Sequence, residues 1–351
     1  MEDNGLIRDT LTGLLNIQGF RDMVDEVSKV VEAKGNRPVA YAFFDLVDFK
    51  SYNERYGFEN GNKVLIAFAD LLVKSFPGRT FARISGDHFA GYFYKDELEL
   101  GVTSLTKLMR ADKLMRETHF RIGLYFTDKN DMDSAICIDR AKIAADSIRG
   151  QEDGLRIYDA ELDEMTRRTR YIAENIEYAI SNGFIKVYYQ PVVRTMTGVL
   201  CGMEALARWD DPNYGMLSPG LFIPILEGKG LIYRLDSYVI GQVCYDIRRW
   251  QDEGLTVVPV SLNLTRIDFE LCDIIGILEE NVRKYNVQKS LIHIEITEST
   301  LNSQEDLIAE KIKEIHSLGY EVWMDDFGSG YSSLNVLKDY DFDMLKSDMK
   351  F

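Results

Sequence analysis

Residues 324–334 read Met324-Asp325-Asp326-Phe327-Gly328-Ser329-Gly330-Tyr331-Ser332-Ser333-Leu334. The run before them, 320–323, has the composition of a strand, so two adjacent carboxylates stand at a strand end. Carboxylates held away from water need a cation, and hard oxygen ligands suit magnesium, manganese or calcium. The glycines that follow let the backbone approach a ligand closely. A helix N-cap followed by a turn would explain the same residues, so the metal interpretation depends on partners elsewhere in the chain.

Length, charge and cysteine content limit the classes of protein to which the chain can belong. Its 351 residues are enough for two domains, or for one large barrel with an addition. The net charge of -16 argues against nucleic acid as the main partner. The four cysteines lack zinc-ligand spacing, and the chain shows neither a signal peptide nor an apolar run of about 18 residues. We therefore expect a soluble cytoplasmic protein with reduced thiols, no membrane span and no nucleic-acid partner.

The first half of the chain mixes strands and helices without strict alternation. Strands are predicted at 38–46, 80–84, 88–94 and 119–125, and helices at 17–33, 63–76, 98–114 and 138–148. The dipeptide Asn60-Gly61 precedes the second of these helices, and Ser85-Gly86-Asp87 fits a tight hairpin between two strands. This order predicts an α+β layer in which helices pack on an antiparallel sheet.

The second half alternates strands with helix-length segments. Strand-like runs lie at 186–193, 201–208, 256–264, 291–297, 320–327 and 343–348, after a connecting helix over 160–181. Such alternation implies a parallel sheet covered by helices, as in an α/β barrel. Polar residues recur late in these strands, which is where a site gathers in a barrel. They are Glu204, Asn263, Glu295, Asp325 with Asp326, and Lys346.

Three segments of the first half resemble the GGDEF domain, a family that makes cyclic di-GMP from two GTP molecules. They lie at 9–16, 45–53 and 83–89. The resemblance assigns residues 1–158 to such a domain and implies a ferredoxin-like sheet. The family's signature turn has two glycines, an Asp and then an acid that binds metal. In this chain the turn reads Ser85, Gly86, Asp87, His88 and Phe89.

These departures predict that the first half makes no cyclic di-GMP. A neutral imidazole at His88 cannot replace a carboxylate on magnesium, which prefers oxygen ligands. A second aspartate of the family is replaced by Val47, whereas Asp45 and the guanine-contacting Asn53 remain as nucleotide-binding candidates. Two interpretations stay open: the domain binds GTP as an allosteric input, or it is kept for dimerisation or spacing.

Six segments of the second half resemble the EAL domain. That family hydrolyses cyclic di-GMP to the linear dinucleotide pGpG, using two divalent cations in a TIM-like barrel. The segments lie at 189–191, 204–209, 261–265, 295–299, 325–334 and 346–348. The resemblance leaves 159–182 as the connecting helix and assigns 183–351 to the domain. It implies magnesium or manganese as cofactor, because an all-oxygen ligand set favours these ions over zinc.

The resemblance also implies roles for individual residues of this half. Glu204, Asn263, Glu295 and Asp325 would be metal ligands, and Asp326 would serve the second ion. Lys346 would orient or activate the water. Gln190 and Arg208 would contact substrate, and Glu298 would stabilise the loop after Asp326. On this view Glu204, Asp325 and Lys346 carry the catalysis. Pairing of two chains through this domain, as a homodimer, would be in keeping with the family.

The chain ends just after the sixth predicted strand, so the barrel is incomplete against the roughly 250 residues of a typical eight-unit barrel. Truncation, units supplied by a partner, or a sheet edge covered in another way would each account for this. The main prediction is a cyclic-di-GMP phosphodiesterase with a catalytically inactive GGDEF domain. The alternative is a non-catalytic protein that binds cyclic di-GMP or a partner protein, and an active cyclase is disfavoured by His88 and Val47.

Overall fold

The computed structural model of the chain describes residues 7–34, 37–127, 133–297, 305–327 and 340–347. The chain divides into two compact units, Met1–Met165 and Thr166–Phe351. The finer limits expected from the sequence, with a connecting segment over 159–182, remain a prediction. Within the described ranges, no helix combines the length and the apolar character that crossing a membrane requires.

The first unit consists of a sheet with helices packed on it. Its strands are β1 (Val39–Leu46), β2 (Thr80–Ser85), β3 (His88–Tyr94), β4 (Phe120–Phe126) and β5 (Gly154–Ile157). Its helices are α1 (Ile17–Lys34), α2 (Phe49–Tyr56), α3 (Phe58–Ser75), α4 (Leu98–Ala111) and α5 (Ser134–Asp146). A further helix, α6 (Ala160–Ser181), contains the division between the two units. Among the described residues the strand order is β2-β3-β1-β4-β5.

The central strand β1 is buried along all eight of its residues. Its side chains alternate between two apolar layers, so that Phe44 packs in one and Phe43 in the other. Helix α5 lies very close to β4, because a Cβ atom added at Gly123 would be only 1.8 Å from the carbonyl oxygen of Ala141. Only glycine permits this approach. The carboxyl end of β1 brings Asp45 to the edge of this packed centre.

Three features of the first unit differ from the expectation. Strand β5 pairs with β4 in parallel, so the sheet is not wholly antiparallel, because helix α5 carries the chain back to the same end of the sheet. Helix α2 was not predicted, since its sequence is polar and short. Helix α3 begins at Phe58, so Asn60-Gly61 lies inside the helix and does not precede it.

The second unit contains the six predicted strands and one short addition. They are β6 (Ile185–Val193), β7 (Leu200–Asp211), β8 (Gly215–Leu217), β9 (Val260–Leu264), β10 (Ile292–Thr297), β11 (Glu321–Phe327) and β12 (Met344–Ser347). The described helices after α6 are α7 (Pro219–Gly228), α8 (Ile232–Asp252), α9 (Arg266–Leu271), α10 (Ile274–Tyr285) and α11 (Glu305–Ser317). The strands follow the order β12-β11-β10-β9-β7-β6, and β8 pairs with β7.

Strands β7 and β9 to β12 run parallel, as strand–helix alternation predicts. One face of this sheet carries the apolar residues, among them Leu262 and Ile294, which pack in the core of the unit. Because successive side chains of a strand point to opposite faces, Asn263 and Glu295 lie on the other face. The apolar pattern of the strands therefore determines which face carries the polar residues.

The β6–β7 pair is antiparallel, which differs from the parallel sheet expected here. Residues 194–199 join the two strands, and a parallel pair would need a crossover connection of about a dozen residues or more. In the part of the chain that the structure describes, the sheet is open, with β6 and β12 at its two ends. The parallel strands nevertheless bring their carboxyl ends to one edge.

Candidate active site

Strand register brings the predicted polar residues of the second unit to one edge of the sheet. Asn263 in β9 lies opposite Glu295 in β10. Asp325 lies two residues beyond the β11 partner of Glu295, and therefore on the same face. Glu204 in β7 lies opposite Ser261, two residues before Asn263. The fold thus brings together four residues that the sequence predicts to act together.

Three carboxylates and one ammonium group form the centre of this cluster. One oxygen from each of Glu204, Glu295 and Asp325 lies within 4.8 Å of the other two. Nζ of Lys346 in β12 donates to Oε1 of Glu295 at 2.7 Å and to Oε2 of Glu204 at 3.1 Å. The same Nζ lies 4.0 Å from Oδ2 of Asp325. Asn263 completes the cluster, since its Nδ2 donates to Oε1 of Glu204 at 3.0 Å.

Burial and charge act in opposite directions on the ionisable groups. Burial raises the pKa of the fully buried Glu295, while the hydrogen bond from Lys346 counteracts part of that rise. Burial also disfavours a charged Lys346, but the hydrogen bond to Glu295 and the charges of Glu295, Glu204 and Asp325 outweigh it. The pKa of Lys346 is therefore raised. Lys346 holds its proton firmly in this arrangement.

The donor atoms of the cluster fit a divalent cation that prefers oxygen ligands. Oε2 of Glu295 is buried and accepts no hydrogen bond from any described residue. Such an atom costs free energy unless a donor or a cation lies beside it. Carboxylate and amide oxygens are ligands that magnesium and manganese take in proteins. The cluster therefore has the chemistry of a divalent metal site, with one amine already present as a partial counter-charge.

The remaining predicted residues of this half lie around the cluster or outside the described chain. Gln190 is exposed on β6, opposite Glu204. Arg208 donates from its guanidinium to the carbonyl oxygen of Ala207 at 2.9 Å. Asp326 is exposed and has a positive φ of 57°. Glu298 falls outside the described residues. The roles in substrate binding, at the second ion and in the loop accordingly remain predictions.

The signature turn of the first unit is a two-residue hairpin between β2 and β3, as expected. Ser85 pairs with His88 across the turn, and Asp87 is its second residue. Gly86 has a φ of 53°, in the left-handed region that glycine adopts without strain. Phe89, which follows His88, is completely buried in the core. Burial and the charge of Asp45 raise the pKa of Asp87, although His88 counteracts them in part.

Asp45 lies in the middle of a row of three side chains across adjacent strands. It is directly opposite His88 in β3 and Arg121 in β4. Arg121 donates from its guanidinium to Oδ2 of Asp45 at 2.7 Å. Sequence reasoning missed Arg121, because the signal is a cross-strand register between residues 76 positions apart. No local motif carries that information.

The guanine-contacting candidate Asn53 lies in α2. Its Oδ1 is buried and accepts no hydrogen bond from the described residues. The atom is packed so closely on α3 that a Cβ atom at Gly61 would lie 1.9 Å from it. Whether Asn53 and Asp45 bind a nucleotide stays a prediction.

Comparison with known proteins agrees with this geometry. The family model described as "EAL domain" matches residues 173–351, about half of the chain. The chain belongs to the EAL domain family. The model described as "Diguanylate cyclase, GGDEF domain" matches residues 6–152, so a GGDEF domain precedes the EAL domain. The predicted tandem is therefore confirmed.

Relatives of known name match this chain over almost its whole length. The bifunctional diguanylate cyclase/cyclic di-GMP phosphodiesterase MucR of Pseudomonas aeruginosa is 26% identical over 98% of this chain and 52% of its own length. The cyclic di-GMP phosphodiesterase PdeR of Escherichia coli is 28% identical over 98% of this chain and 52% of its own length. The chain spans about half the length of the curated relatives it matches, from 42% to 56%.

The fold is shared with a solved GGDEF–EAL structure. The S helix-GGDEF-EAL part of LapD from Vibrio cholerae, bound to c-di-GMP, matches with a TM-score of 0.56 and 18% identity. The match covers 97% of this chain and 82% of the LapD chain. At this identity the match establishes the fold alone.

Proposed function

We propose that the EAL domain hydrolyses cyclic di-GMP to linear pGpG with the help of divalent cations. The observation that carries this proposal is the meeting of Glu204, Glu295 and Asp325 within 4.8 Å, beside Asn263 and Lys346. A set of oxygen donors at the carboxyl ends of parallel strands suits metal-assisted chemistry on phosphates. The activities named for PdeR and MucR support the same substrate.

Magnesium or manganese is the proposed cofactor. Glu204, Asn263, Glu295 and Asp325 would hold one ion, and Asp326 would serve a second. When bound, such ions neutralise the charge that develops on the attacking and leaving oxygens of a phosphodiester. The buried Oε2 of Glu295, which accepts no hydrogen bond from the described residues, supports a cation at this place.

Lys346 is the proposed catalytic lysine of the chain. A lysine whose pKa is raised keeps its proton, so its Nζ acts as a hydrogen-bond donor rather than a general base. In that role it orients the attacking water and offsets phosphate charge. Gln190 and Arg208 are proposed to bind the substrate, since a guanidinium matches phosphate geometry with two donors. Glu298 is proposed to stabilise the loop that follows Asp326.

The decisive experiment is hydrolysis of labelled cyclic di-GMP by the purified chain in magnesium and in manganese. We expect linear pGpG to accumulate, and we expect Glu204→Ala to abolish its formation. Glu253→Ala, an exposed glutamate of the same unit, is the matched control and should hydrolyse at the rate of the unmodified chain. Equal product with Glu204→Ala would disprove the role of the cluster.

We further propose that the GGDEF domain makes no cyclic di-GMP, because His88 and Val47 replace two acidic positions of the family. The proposed limits are 1–158 for this domain, 159–182 for the connecting helix and 183–351 for the EAL domain. GTP binding as an allosteric input, homodimerisation and a cytoplasmic location are also proposals. Calorimetric titration of the chain with GTP and magnesium tests the proposal of GTP binding, and the absence of heat would contradict it.

A non-catalytic protein that binds cyclic di-GMP or a partner is the second candidate. The observation in its favour is that Lys346 already supplies a counter-charge to Glu295 and Glu204 without any metal. Tight binding of cyclic di-GMP without any turnover in either metal would support this candidate over the phosphodiesterase.

A further inference from the structure

A second cluster of metal-binding side chains lies in the first unit, at the turn between β2 and β3. It consists of Asp45, Asp87 and His88, each of which offers one ligand atom within 4.8 Å of the others. Nε2 of His88 lies 3.6 Å from Oδ1 of Asp45 and 3.9 Å from Oδ1 of Asp87. Both separations are longer than a hydrogen bond, so the imidazole faces the two carboxylates without bonding to either.

The frame around these atoms is rigid. Asp45 and His88 are direct cross-strand partners, so their side chains project from the same face of the sheet. The ring of Phe43 lies 5.1 Å from the imidazole ring and restricts its movement. Arg121 fixes Oδ2 of Asp45 at 2.7 Å and leaves Oδ1 directed at His88. A carboxylate held through its other oxygen is the usual support of a metal ligand.

One carboxylate oxygen of the cluster is available to a cation. Asp45 is only 6% exposed, and the hydrogen bond that it accepts from the described residues goes to Oδ2. Oδ1 faces His88 at 3.6 Å, beyond hydrogen-bond distance. A cation beside a carboxylate in such a largely buried residue offsets the cost of burying its charge. The local charge agrees, because two carboxylates face the single positive charge of Arg121 when His88 is neutral.

The donor set does not fit the magnesium that the GGDEF family implies. Magnesium demands near-octahedral oxygen coordination and is rarely held by imidazole. Here an imidazole occupies the turn position at which the family has a metal-binding acid. Nitrogen from His together with carboxylate oxygen suits zinc and its neighbours in the transition series.

The spacing of the donors fits tetrahedral coordination. Zinc bonds of about 2.0–2.1 Å to nitrogen and oxygen place two ligands of a tetrahedron about 3.4 Å apart. The 3.6 Å and 3.9 Å separations at His88 are within about half an ångström of that value. Three protein ligands leave the fourth position for water or a small anion, as in open zinc sites.

We propose that Asp45, Asp87 and His88 bind one zinc-class dication, in a site that has exchanged its family's magnesium preference for that of a transition metal. The ion links the turn between β2 and β3 to the end of β1. It needs no nucleotide, and it is independent of the phosphodiesterase proposed for the other unit. The rival explanation is a protonated His88 that forms ion pairs with both carboxylates and binds no metal.

The test is a metal titration of the full chain and of His88→Ala, with zinc measured by competition against a chromophoric chelator. The comparison cancels any zinc held elsewhere, including at Glu204, Glu295 and Asp325. We expect the unmodified chain to bind one more equivalent of zinc than His88→Ala, or the same equivalent at least about 100-fold more tightly. Cobalt should give the intense visible absorption of tetrahedral coordination, and this absorption should disappear in His88→Ala.

His119→Ala is the matched control, because His119 also contacts a carboxylate of the first unit. Its Nδ1 lies 2.8 Å from Oδ2 of Asp153, but it belongs to no group of three ligands among the described residues. This variant should bind zinc like the unmodified chain. His88→Glu should lose zinc and gain magnesium or manganese, since it restores three oxygen donors. Asp87→Ala, at a partly exposed turn position, should weaken zinc binding even if His88→Ala fails to fold.

Two results would overturn the proposal. Equal zinc stoichiometry and affinity in the unmodified chain, His88→Ala and Asp87→Ala would mean that the cluster is a set of ion pairs only. An equal loss of zinc in His119→Ala would mean that the metal binds to surface histidines and not to this site.

Discussion

Nζ of Lys346 lies 2.7 Å from Oε1 of Glu295, a side chain with no exposed surface. The two residues belong to β12 and β10, so the lysine reaches past β11, the strand between them. A buried carboxylate without a cation is very costly, and this contact supplies one before any metal binds. Lys346 therefore stabilises the metal-free site as well as serving the proposed reaction.

Lys346→Met should destabilise the metal-free second unit by about 2–4 kcal/mol, because it leaves the buried Glu295 uncompensated. Addition of manganese should restore more stability to this variant than to the unmodified chain, since a bound cation replaces the lost charge. Denaturant unfolding followed by tryptophan fluorescence measures this effect in the second unit alone. The three tryptophans of the chain, Trp209, Trp250 and Trp323, all lie in that unit.

The control for this variant is Lys186→Met. Lys186 forms an exposed ion pair with Asp210 at 3.8 Å, and such pairs contribute about 0–1 kcal/mol. A loss of stability as large as that of Lys346→Met would show that the burial of Glu295 is not the cause.

Asn263→Ala should weaken manganese binding by about 10–100-fold. Asn263 is a proposed ligand, and its Nδ2 donates to Oε1 of Glu204 at 3.0 Å. Its loss would remove one proposed ligand and release a second one. Titration followed by the electron paramagnetic resonance signal of free manganese measures the change. Asn281→Ala, on α10, is the control, because Asn281 donates to the carbonyl oxygen of Ile277 in its own helix. Unchanged affinity in Asn263→Ala would remove this residue from the site.

A pair of carboxyl groups supports the turn that follows Asn263. Asp268 accepts hydrogen bonds from the backbone N–H and the hydroxyl of Thr265 through Oδ2, which fixes the start of α9. Its Oδ1 is buried and accepts no hydrogen bond among the described residues. Asp236 on α8 lies beside it, and burial together with the charge of Asp268 raises the pKa of Asp236 well above its ordinary value. We predict that the two carboxyl groups share one proton, held by Asp236, because this would satisfy both groups.

Stability of the second unit should accordingly fall as the pH rises. The folded pKa of Asp236 is raised above the unfolded value of about 3.9, so the folded state binds more protons than the unfolded state above that pH. The loss of stability begins near pH 3.9, about the unfolded pKa, and continues until Asp236 and Asp268 release their proton in the folded state. In Asp236→Asn the side-chain amide can donate a hydrogen bond to Asp268 at every pH. This variant should be more stable than the unmodified chain at pH 8 by about 1–2 kcal/mol.

Asp252→Asn, an exposed change on the same helix, should alter stability by no more than about 0.5 kcal/mol at either pH. Tryptophan-monitored unfolding at several pH values measures all three proteins. An Asp236→Asn variant that loses stability at pH 8 would show that the two carboxyl groups do not share a proton.

The first unit should form no cyclic di-GMP from GTP. The assay uses the Glu204→Ala chain, so that product cannot be hydrolysed by the other unit, and magnesium and manganese are both tested. His88→Glu in the same chain should also remain inactive, because Val47 still replaces the second acid. Product in the chain with His88 intact would contradict this account of the turn.

The strands and the helix-covered face could be predicted because their signals are local. Alternating apolar residues such as Leu262 and Leu264 identify a strand and its buried face, and residues two positions apart share the opposite face. Six strands and the residues Glu204, Glu295, Asp325 and Lys346 followed from that pattern and from the resemblance to the family. The antiparallel β6–β7 pair did not, because its direction depends on the length of a connection rather than on the strands themselves.

The residues that the sequence did not predict, in the first unit and near the candidate active site, are brought in by contacts between positions far apart in the sequence. Arg121 meets Asp45 through strand register, and Asp236 meets Asp268 through the packing of α8 against α9. Neither pair stands in a motif or at a helical or strand spacing. The positive φ of Asp326 is likewise a property of the folded backbone, so its exposure beside Asp325 was not foreseen.

The central claim is that the cluster of Glu204, Glu295 and Asp325 carries metal-dependent hydrolysis of cyclic di-GMP. The most direct measurement is the rate at which the purified chain converts labelled cyclic di-GMP to pGpG in manganese, beside Glu204→Ala and the Glu253→Ala control. We predict turnover in the unmodified chain and the control, and none in Glu204→Ala. Binding of cyclic di-GMP without turnover in all three proteins, or equal turnover in all three, would contradict the account.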